Sequence, residues 1–310
     1  NAQALRGHAV QPGERLRSSA LVAQHPALGA LLDEGLAALG AAADLPMPTE
    51  LEAAGHRFDL VLHQSHELLV IEFEARQASS DELTGFAVQA HRAMEKLRRP
   101  RASIDDLLQL ATQEVRALTG FDRVMAYRFR PDSSGDVVAE SCADFLDPYL
   151  GRRYPASDIP AQARALYVAN TLRLIADVQA TPVPLASAGG AALDLSAAIL
   201  RSVSPIHIEY LNNMGVGASM SISIVINNRL WGLLACHHMG PRQVPYSVRM
   251  ACDVMAQMLG ANIQAALARK QAERQQQVAE LRTRVMESVL HSDDEFSALC
   301  SHAGALMQSM

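Results

Sequence analysis

The feature that most constrains this fold is a helical pattern near the C-terminus, from about Ser247 to Leu290. A helix of about 40 residues is roughly 60 Å long at 1.5 Å per residue, so it cannot be buried within one small domain and should project from it. We predict that its first half packs on the chain's own sheet and that its second half joins a helix bundle with a second copy of the chain. Apolar residues recur along it at spacings of three and four, at Met255, Leu259, Ile263, Leu267, Val278, Leu281, Val285 and Val289.

Length and charge set the next limits. The chain has 310 residues, more than one hydrophobic core usually serves, which predicts two domains or one domain with a helical extension. Hydrophobic residues are 49% and charged residues 19%, as is typical of soluble globular proteins. The net charge of −6 arises from 27 basic and 33 acidic residues dispersed along the chain. This distribution gives no electrostatic case for binding nucleic acid or a membrane surface.

Membrane segments, disulfides and metal sites are not expected. No run approaches the roughly 18 uncharged apolar residues that span a bilayer, and the N-terminal residues lack the order of a signal peptide, so we expect a cytoplasmic protein. The widely spaced cysteines predict reduced thiols rather than disulfides or zinc ligands; they are Cys142, Cys236, Cys252 and Cys300. Cys236 precedes two histidines, but adjacent strand residues point to opposite faces and cannot all hold one metal ion.

The N-terminal part predicts a small α+β domain over residues 1–95. An Ala/Leu-rich stretch from Ala20 to Ala43 predicts one or two short helices, which the prolines around Met47 end. Two alternating runs within residues 56–75, separated by a polar stretch, predict a β-hairpin. A basic, proline-containing joint follows at residues 96–101.

The middle of the chain predicts an antiparallel sheet that carries a long insertion. Ser103 and Asp105 open a helix that ends at Gly120. Asn227 and Asn228 form a turn pair that tolerates positive φ, so the last two strands should form a hairpin. A helical, loop-rich section at about 155–215 interrupts the strands, which is a common way to build a ligand pocket. The strand candidates are residues 123–129, 219–226 and 230–236.

Four sequence blocks resemble the GAF domain of phytochromes, in the family's order and at similar spacing. They are PASDIP with AQARALY at 155–167, LRSVSPIHIEYLNNMGV at 200–216, SMSISIVINNRLWGLLACHH at 219–238 and FDRVMAYRF at 121–129. Together they cover most of residues 105–265, and four matching blocks are far more specific than one short motif. The chain is therefore identified as a member of the bacterial phytochromes.

This resemblance implies an α+β architecture in three parts. A PAS-like domain over residues 1–95 precedes a GAF domain over 102–265, and residues 266–310 form a long connecting helix and the start of a PHY region. The family binds a linear tetrapyrrole, or bilin, which for bacterial members is biliverdin, and isomerises it next to ring D in red or far-red light. The implied partners are a second copy of the chain, which forms a homodimer through the GAF and C-terminal helices, and a downstream output domain or response regulator. The whole protein would be a light-regulated sensor histidine kinase, whereas this fragment lacks a glycine-rich nucleotide motif and is expected to be a receptor and not an enzyme.

The resemblance also implies roles for individual residues around the two bilin propionates. Arg173 and Arg201 match the family's propionate-binding arginines, and an arginine's planar fork suits a carboxylate. Ser219 and Ser221 match serines that bond the other propionate, and Tyr167 matches a tyrosine beside a propionate arginine.

A second set matches residues around the pyrrole rings. Asp158 and His207 match the groups that hold the protonated pyrrole nitrogens, in the family by a backbone carbonyl and a bound water. Ile159 and Pro160 complete the same motif, and Ser204 belongs to the block around His207. The ring D lining is matched by Tyr127, Tyr154, Tyr210 and His237, with His237 as the hydrogen-bond partner of the ring D carbonyl.

The chain departs from the family at the covalent attachment site. Bacterial members use a cysteine shortly before a stretch resembling AVQPG at 9–13, and other members use a GAF cysteine directly before the histidine. Here position 206 is Ile and no cysteine precedes Cys142. Either the cysteine lies upstream of Asn1 or the bilin is bound without a covalent bond, and we favour the second. The PAS region is also shorter than the family leads one to expect, so the presence of the family's interlaced PAS–GAF knot is an open question here. The insertion at about 183–196 is short as well.

Two other functions remain as alternatives. A GAF domain that senses a cyclic nucleotide or another small ligand would be colourless, and the arginine pair with the residue 158–160 motif and His207 argues against it. The third interpretation is a dimerisation scaffold that has lost its ligand. We rank it last because the set of pocket residues is complete.

Overall fold

The computed structural model describes residues 10, 12–53, 55–76, 80–99, 101, 103–186, 193–291 and 295–302. Residues 1–9 and part of the 183–196 insertion lie outside these ranges, and so do the predictions that concern them. After a short 3-10 turn at Leu16–Ser18, the helices are α1 Ala20–Gln24, α2 Pro26–Ala41, α3 Ser80–Arg98, α4 Ile104–Thr119, α5 Ala161–Ala169, α6 Pro205–Asn213, α7 Tyr246–Leu290 and α8 Glu295–Ser301. The strands are β1 Thr49–Ala53, β2 His56–Ser65, β3 Leu68–Ala75, β4 Arg123–Phe129, β5 Gly135–Cys142, β6 Arg153–Tyr154, β7 Leu172–Ile175, β8 Ala218–Ile226 and β9 Arg229–His238.

The N-terminal unit consists of α1, α2 and a three-stranded antiparallel sheet in the order β1-β2-β3. The predicted helices and the predicted β2–β3 hairpin are confirmed, and β1 is an additional strand. Leu28, Phe58 and Leu60 are fully buried between the helices and the sheet. This unit therefore has a hydrophobic core of its own.

The second unit is built on a six-stranded antiparallel sheet in the order β6-β5-β4-β9-β8-β7. The Ser103 side chain accepts a hydrogen bond from the Asp106 N–H at 3.0 Å and so caps α4. Gly120 ends the helix with a φ of 65°, as predicted. Asn227 and Asn228 turn the β8–β9 hairpin with φ values of 51° and 58°. The α+β fold with antiparallel sheets is thus confirmed.

The insertion contains a strand that the sequence did not predict. β7 lies between α5 and α6 and pairs with β8 along Leu172–Ile175. Its four residues are too few for a periodic signal, and its pairing partner lies about 50 residues further along the chain. The strand matters because it adds Arg173 to the edge of the sheet.

Helix α3 packs with the second unit rather than with the strands that precede it. Ala93 and Leu97 are fully buried in the same core as α4 and α7. The predicted joint at 96–101 therefore begins too early, because burial of Leu97 continues the helix to Arg98. The helix ends just before Pro100, as the residue before a proline disfavours helical backbone. The expected domain boundary near residue 95 stays a prediction.

The long C-terminal helix is confirmed as α7, with 45 residues from Tyr246 to Leu290. Its buried residues run from Val248 to Ile263, and beyond that point Leu281 is the one buried residue in the described helix. The first half therefore packs on the sheet, as predicted. Several apolar residues of the second half are exposed, among them Leu267, Val278, Met286 and Leu290.

A buried ion pair joins the two units. Arg249, at the start of α7, is 1% exposed and donates from both terminal nitrogens to the Glu74 carboxylate of β3. The same guanidinium also donates to the Val244 carbonyl at 2.7 Å. A bidentate contact of this kind fixes orientation as well as distance.

Neither a membrane span nor a metal cluster is found in the part of the chain that the structure describes. No helix within those ranges is both long and apolar enough to cross a membrane. Across the same ranges, no three His, Cys, Asp or Glu side chains are grouped as a metal ion would require. The four cysteines are free thiols, and Cys236 and Cys252 are buried.

The ion pair generates a stability prediction. Glu74→Gln should lower the free energy of unfolding by about 3–5 kcal/mol, because it leaves the buried Arg249 charge uncompensated. The double variant Glu74→Leu/Arg249→Met should lose much less, since it removes both charges and keeps apolar volume. Urea unfolding followed by circular dichroism measures both.

Glu52→Gln is the matched control. Glu52 lies 4.0 Å from Arg57 and its side chain is 71% exposed, so this change should stay within about 0.5 kcal/mol. Equal losses for Glu74→Gln and the control would contradict a structural role for the pair.

Candidate functional site

The six-stranded sheet has two chemically different faces. One face is apolar and packs against α4 and α7, and it includes Met220 and Ile222 of β8 and Cys236 of β9. Because successive strand residues alternate between faces, Ser219, Ser221 and His237 lie on the other face. The insertion with α5 and α6 belongs to this second face, since Tyr167 of α5 packs with Tyr127 of β4. The candidate site lies there.

Strand register brings the predicted residues into rows across this face. Arg173 of β7 is paired with Ser221 of β8, and Ser219 of β8 is paired with His237 of β9. His237 is in turn paired with Arg123 of β4. Neighbouring strands are about 4.8 Å apart. Residues that are far apart in the chain are thus direct neighbours on the sheet.

Arg173 has no anionic partner in the part of the chain that the structure describes. Its guanidinium carbon lies 4.2 Å from the centre of the Tyr167 ring. Its Nε and Nη2 atoms are buried and have no hydrogen-bond partner among the described residues. Burial lowers the pKa of Arg173, which the nearby Tyr167 opposes and the positive charge of Arg201 reinforces. Arg173 and Arg201 therefore lie near each other, at one end of the site, with unused capacity to bind a carboxylate.

Two histidines, the buried His237 and the half-buried His207, lie next to this cationic end. Burial, with smaller effects from Arg123 and His207, lowers the pKa of His237 to about 4, so this imidazole is neutral near pH 7. Its Nδ1 atom is buried and has no partner among the described residues. Burial and then the charge of Arg173 lower the pKa of His207. The site thus offers neutral imidazoles rather than further cations.

His207 is placed by the start of α6. Its N–H donates to the Ser204 carbonyl at 3.0 Å, and Pro205 occupies the first turn of the helix. One turn later Tyr210 lies with its ring nearly parallel to the His207 ring, 6.4 Å between centres. The Ser204 residue itself is exposed, so here its backbone does the positioning.

An aromatic cluster forms the other end of the site. The rings of Tyr127 and Tyr154 lie 6.2 Å apart, and those of Tyr127 and Phe129 lie 5.1 Å apart edge to face. Burial, with a smaller effect from Asp158, raises the pKa of Tyr127 and that of Tyr210 to about 12. These hydroxyls therefore stay protonated at neutral pH.

The segment at 158–160 borders this aromatic end. The Asp158 N–H donates to the Pro155 carbonyl at 3.2 Å, which forms a tight turn. Arg164 of α5 donates to the Ile159 carbonyl at 2.6 Å. Asp158 and Pro160 are exposed, yet the Asp158 charge reaches both Tyr127 and Tyr210. The structure thus places this motif next to the predicted ring D residues.

A buried pair that the sequence did not predict supports this end. Arg123 Nε lies 2.9 Å from Glu140 Oε1, and both side chains are less than 5% exposed. The other oxygen of Glu140 accepts the N–H groups of Tyr149 and Leu150 at 2.7 and 2.8 Å. The pair holds the loop that leads to Tyr154. Arg123 lies on the same face of β4 as Tyr127. A charged residue at a position that strand alternation assigns to the site face was the sequence signal that could have identified it.

The chemistry of this face fits a ligand with carboxylates and a polar group near an aromatic end. A buried, unpaired guanidinium is costly unless a ligand supplies an acceptor. Cys236 lies on the opposite face in the apolar core, and burial raises the pKa of its thiol well above the usual range. Cys236 therefore cannot reach a ligand on the site face.

Comparisons with known proteins identify the domain and the family. The GAF domain model matches residues 103–267. The bacteriophytochrome of Pseudomonas aeruginosa is 44% identical and covers 99% of this chain and 43% of the relative. Cyanobacterial phytochrome B of Nostoc sp. is 44% identical over 79% of this chain and 33% of the relative. The chain thus spans less than half the length of these relatives.

Solved structures give the same result. The photosensory core module of Stigmatella aurantiaca phytochrome has a TM-score of 0.80 at 35% identity and covers 92% of this chain and 58% of that structure. The chromophore binding domain of phytochrome P1 from the same organism has a TM-score of 0.69 at 39% identity, with 76% of this chain and 80% of that structure covered. With a GAF domain model that matches more than half of the chain and a bacteriophytochrome relative that is 44% identical over nearly all of it, this chain belongs to the bacterial phytochromes.

Proposed function

We propose that this chain is the light-sensing part of a red/far-red photoreceptor that binds biliverdin without a covalent bond. The observation that carries the proposal is Arg173, whose buried guanidinium lacks an acceptor among the described residues and lies near Arg201 in the row with Ser221. The similar structures from Stigmatella aurantiaca include chromophore-binding domains of phytochromes, which supports a chromophore at this site. A bound bilin would supply light absorption and isomerisation of the double bond next to ring D.

The cationic end would hold the two propionates. Arg173 and Arg201 provide planar forks that pair with carboxylates. Ser219 and Ser221 provide hydroxyl donors on the same face of β8. Tyr167 supports Arg173 by contact with its guanidinium plane.

The centre and the aromatic end would hold the pyrrole rings. His207, with Asp158, Ile159 and Pro160 of the tight turn, would line the central rings. Tyr127, Tyr154 and Tyr210 would line ring D, where apolar ring faces leave space for rotation. His237 is a neutral hydrogen-bonding group, which suits a carbonyl that changes position between two states.

The signal would leave the site through α7. This helix begins against the site's sheet and continues past it, with exposed apolar residues in its second half. Such residues favour a helix bundle with a second copy of the chain. Since the relatives are more than twice as long, the receiver of the signal would be an output module such as a histidine kinase, or a response regulator.

An absorption experiment tests the bilin proposal. Purified protein mixed with biliverdin should form a red-shifted band that converts reversibly under red and far-red light, because a protein site that holds the chromophore protonated and extended shifts its absorption to the red. After acid denaturation, a zinc-fluorescence gel should show no band. A fluorescent band would overturn the non-covalent part, and the absence of any red band would favour a small-ligand sensor or a scaffold.

Arg173→Ala is the informative variant in this experiment. It should weaken biliverdin binding about tenfold or more, because a charge-assisted contact is lost. Arg173→Lys should recover only part of the affinity, since lysine lacks the planar fork. Arg229→Ala removes an exposed arginine of β9 and should leave affinity unchanged.

The role of His237 can be tested by the extent of photoconversion. His237→Leu removes the hydrogen-bonding group and should lower the extent of conversion several-fold, while His237→Gln should retain part of it. Difference spectra after saturating red and far-red light measure this. Equal conversion in the wild type and in His237→Leu would exclude His237 as the ring D partner.

The dimer can be tested on α7. Val278→Glu places a charge on an exposed apolar position and should weaken dimerisation about tenfold, because a bundle would bury that charge. Gln277→Glu changes the neighbouring residue to the same side chain and should have little effect. Sedimentation velocity over a concentration series distinguishes the two, and a wild type that stays monomeric would refute the dimer.

A further inference from the structure

The loop that carries Arg201 is held by the N-terminal unit. Residues 193–201 form no helix or strand, and they lead directly to Arg201. Glu72 of β3 accepts the N–H of Ile199 at 3.0 Å and the N–H of Leu200 at 2.7 Å, one on each carboxylate oxygen. These bonds connect residues that are far apart in the chain. The N–H groups of the two residues before Arg201 are therefore held by the other unit.

The Glu72 carboxylate is buried and depends on these contacts. Its side chain is 9% exposed, and the Nδ1 atom of His63 lies 3.4 Å from one of its oxygens. A buried carboxylate is tolerated when hydrogen-bond donors surround it, and its bonds to N–H groups are stronger than neutral ones. Nearby, the Ser65 hydroxyl donates to the Asp194 carbonyl at 2.7 Å. The β2–β3 hairpin thus forms hydrogen bonds with both ends of the segment 194–200.

Arg201 has one acidic neighbour on its own loop, Asp194, whose pKa its charge helps to lower after the larger effects of the Ser196 hydrogen bonds. Its positive charge reaches Tyr167 and Arg173, which places it at the cationic end of the site. No side chain in the described ranges hydrogen-bonds its guanidinium, so its direction depends on the loop backbone that carries both Arg201 and Asp194. That backbone is the one that Glu72 holds.

We propose that Glu72 is a positioning residue for propionate recognition, acting through residues 199–200 on Arg201. The inference rests on the proposed bilin site and adds a residue from outside the GAF domain to it. Loss of the Glu72 charge should loosen the Arg201 loop and weaken the binding of a ligand's carboxylate. It should leave the apolar contacts of the same ligand unchanged.

Titrations with biliverdin and with biliverdin dimethyl ester, which lacks the propionate charges, test this role. Glu72→Gln should weaken biliverdin binding about tenfold and change ester binding by less than about twofold. Glu72→Asp keeps the charge on a shorter side chain and should fall between the wild type and Glu72→Gln. The control Glu67→Gln makes the same change at an exposed position of the same hairpin and should match the wild type.

A double-mutant cycle on biliverdin affinity provides the second readout. If Glu72 acts through Arg201, then Glu72→Gln/Arg201→Ala should bind no more weakly than Arg201→Ala alone. Additive losses, equal losses for biliverdin and the ester, or no loss in Glu72→Gln would each overturn the inference while leaving the bilin site in place. A wild-type chain that fails to bind biliverdin would instead overturn the proposed function, and this inference with it.

Discussion

The alternation of side chains across the six-stranded sheet is the constraint on which the rest of the structure depends. The inner residues of β4, β8 and β9 form the core with α4 and α7, so the outer residues of the same strands are free to form a site. A shift of one residue in any register would exchange the two sets. The residues that form the core and the residues that form the site therefore alternate along the same strands.

The outer face holds polar groups whose partners are incomplete. Arg173 and His237 keep buried nitrogen atoms without acceptors or donors in the described part of the chain. Such groups disfavour the ligand-free fold. A carboxylate-bearing ligand would remove that penalty at Arg173, and this makes binding and stability linked quantities.

Local signals in the sequence were sufficient for several elements. The Ser103 cap and Gly120 defined α4, the stripe of apolar residues defined α7, and the asparagine pair defined the β8–β9 turn. Motif resemblance supplied the candidate site residues, and the strand register brings Arg173, Ser219, Ser221 and His237 of that set together. Long-range partners gave no local signal: β7, the Arg123–Glu140 pair and the bonds from Glu72 to residues 199–200 depend on segments that meet only in the folded chain. The C-terminal end of α3 was missed for the same reason, since Leu97 is buried against residues that lie further along the chain.

The two acidic residues of β3 bear on how this receptor can be divided. Glu72 and Glu74 are two positions apart, and they contact the Arg201 loop and Arg249 of α7 respectively. A fragment that keeps only the second unit would lose Glu72 and Glu74 at once. It would leave the buried Arg249 guanidinium near the start of α7 without its carboxylate and release the loop that carries Arg201. The N-terminal unit is accordingly part of the smallest fragment that should retain native ligand binding, and a minimal reporter protein cut from this chain would have to keep it.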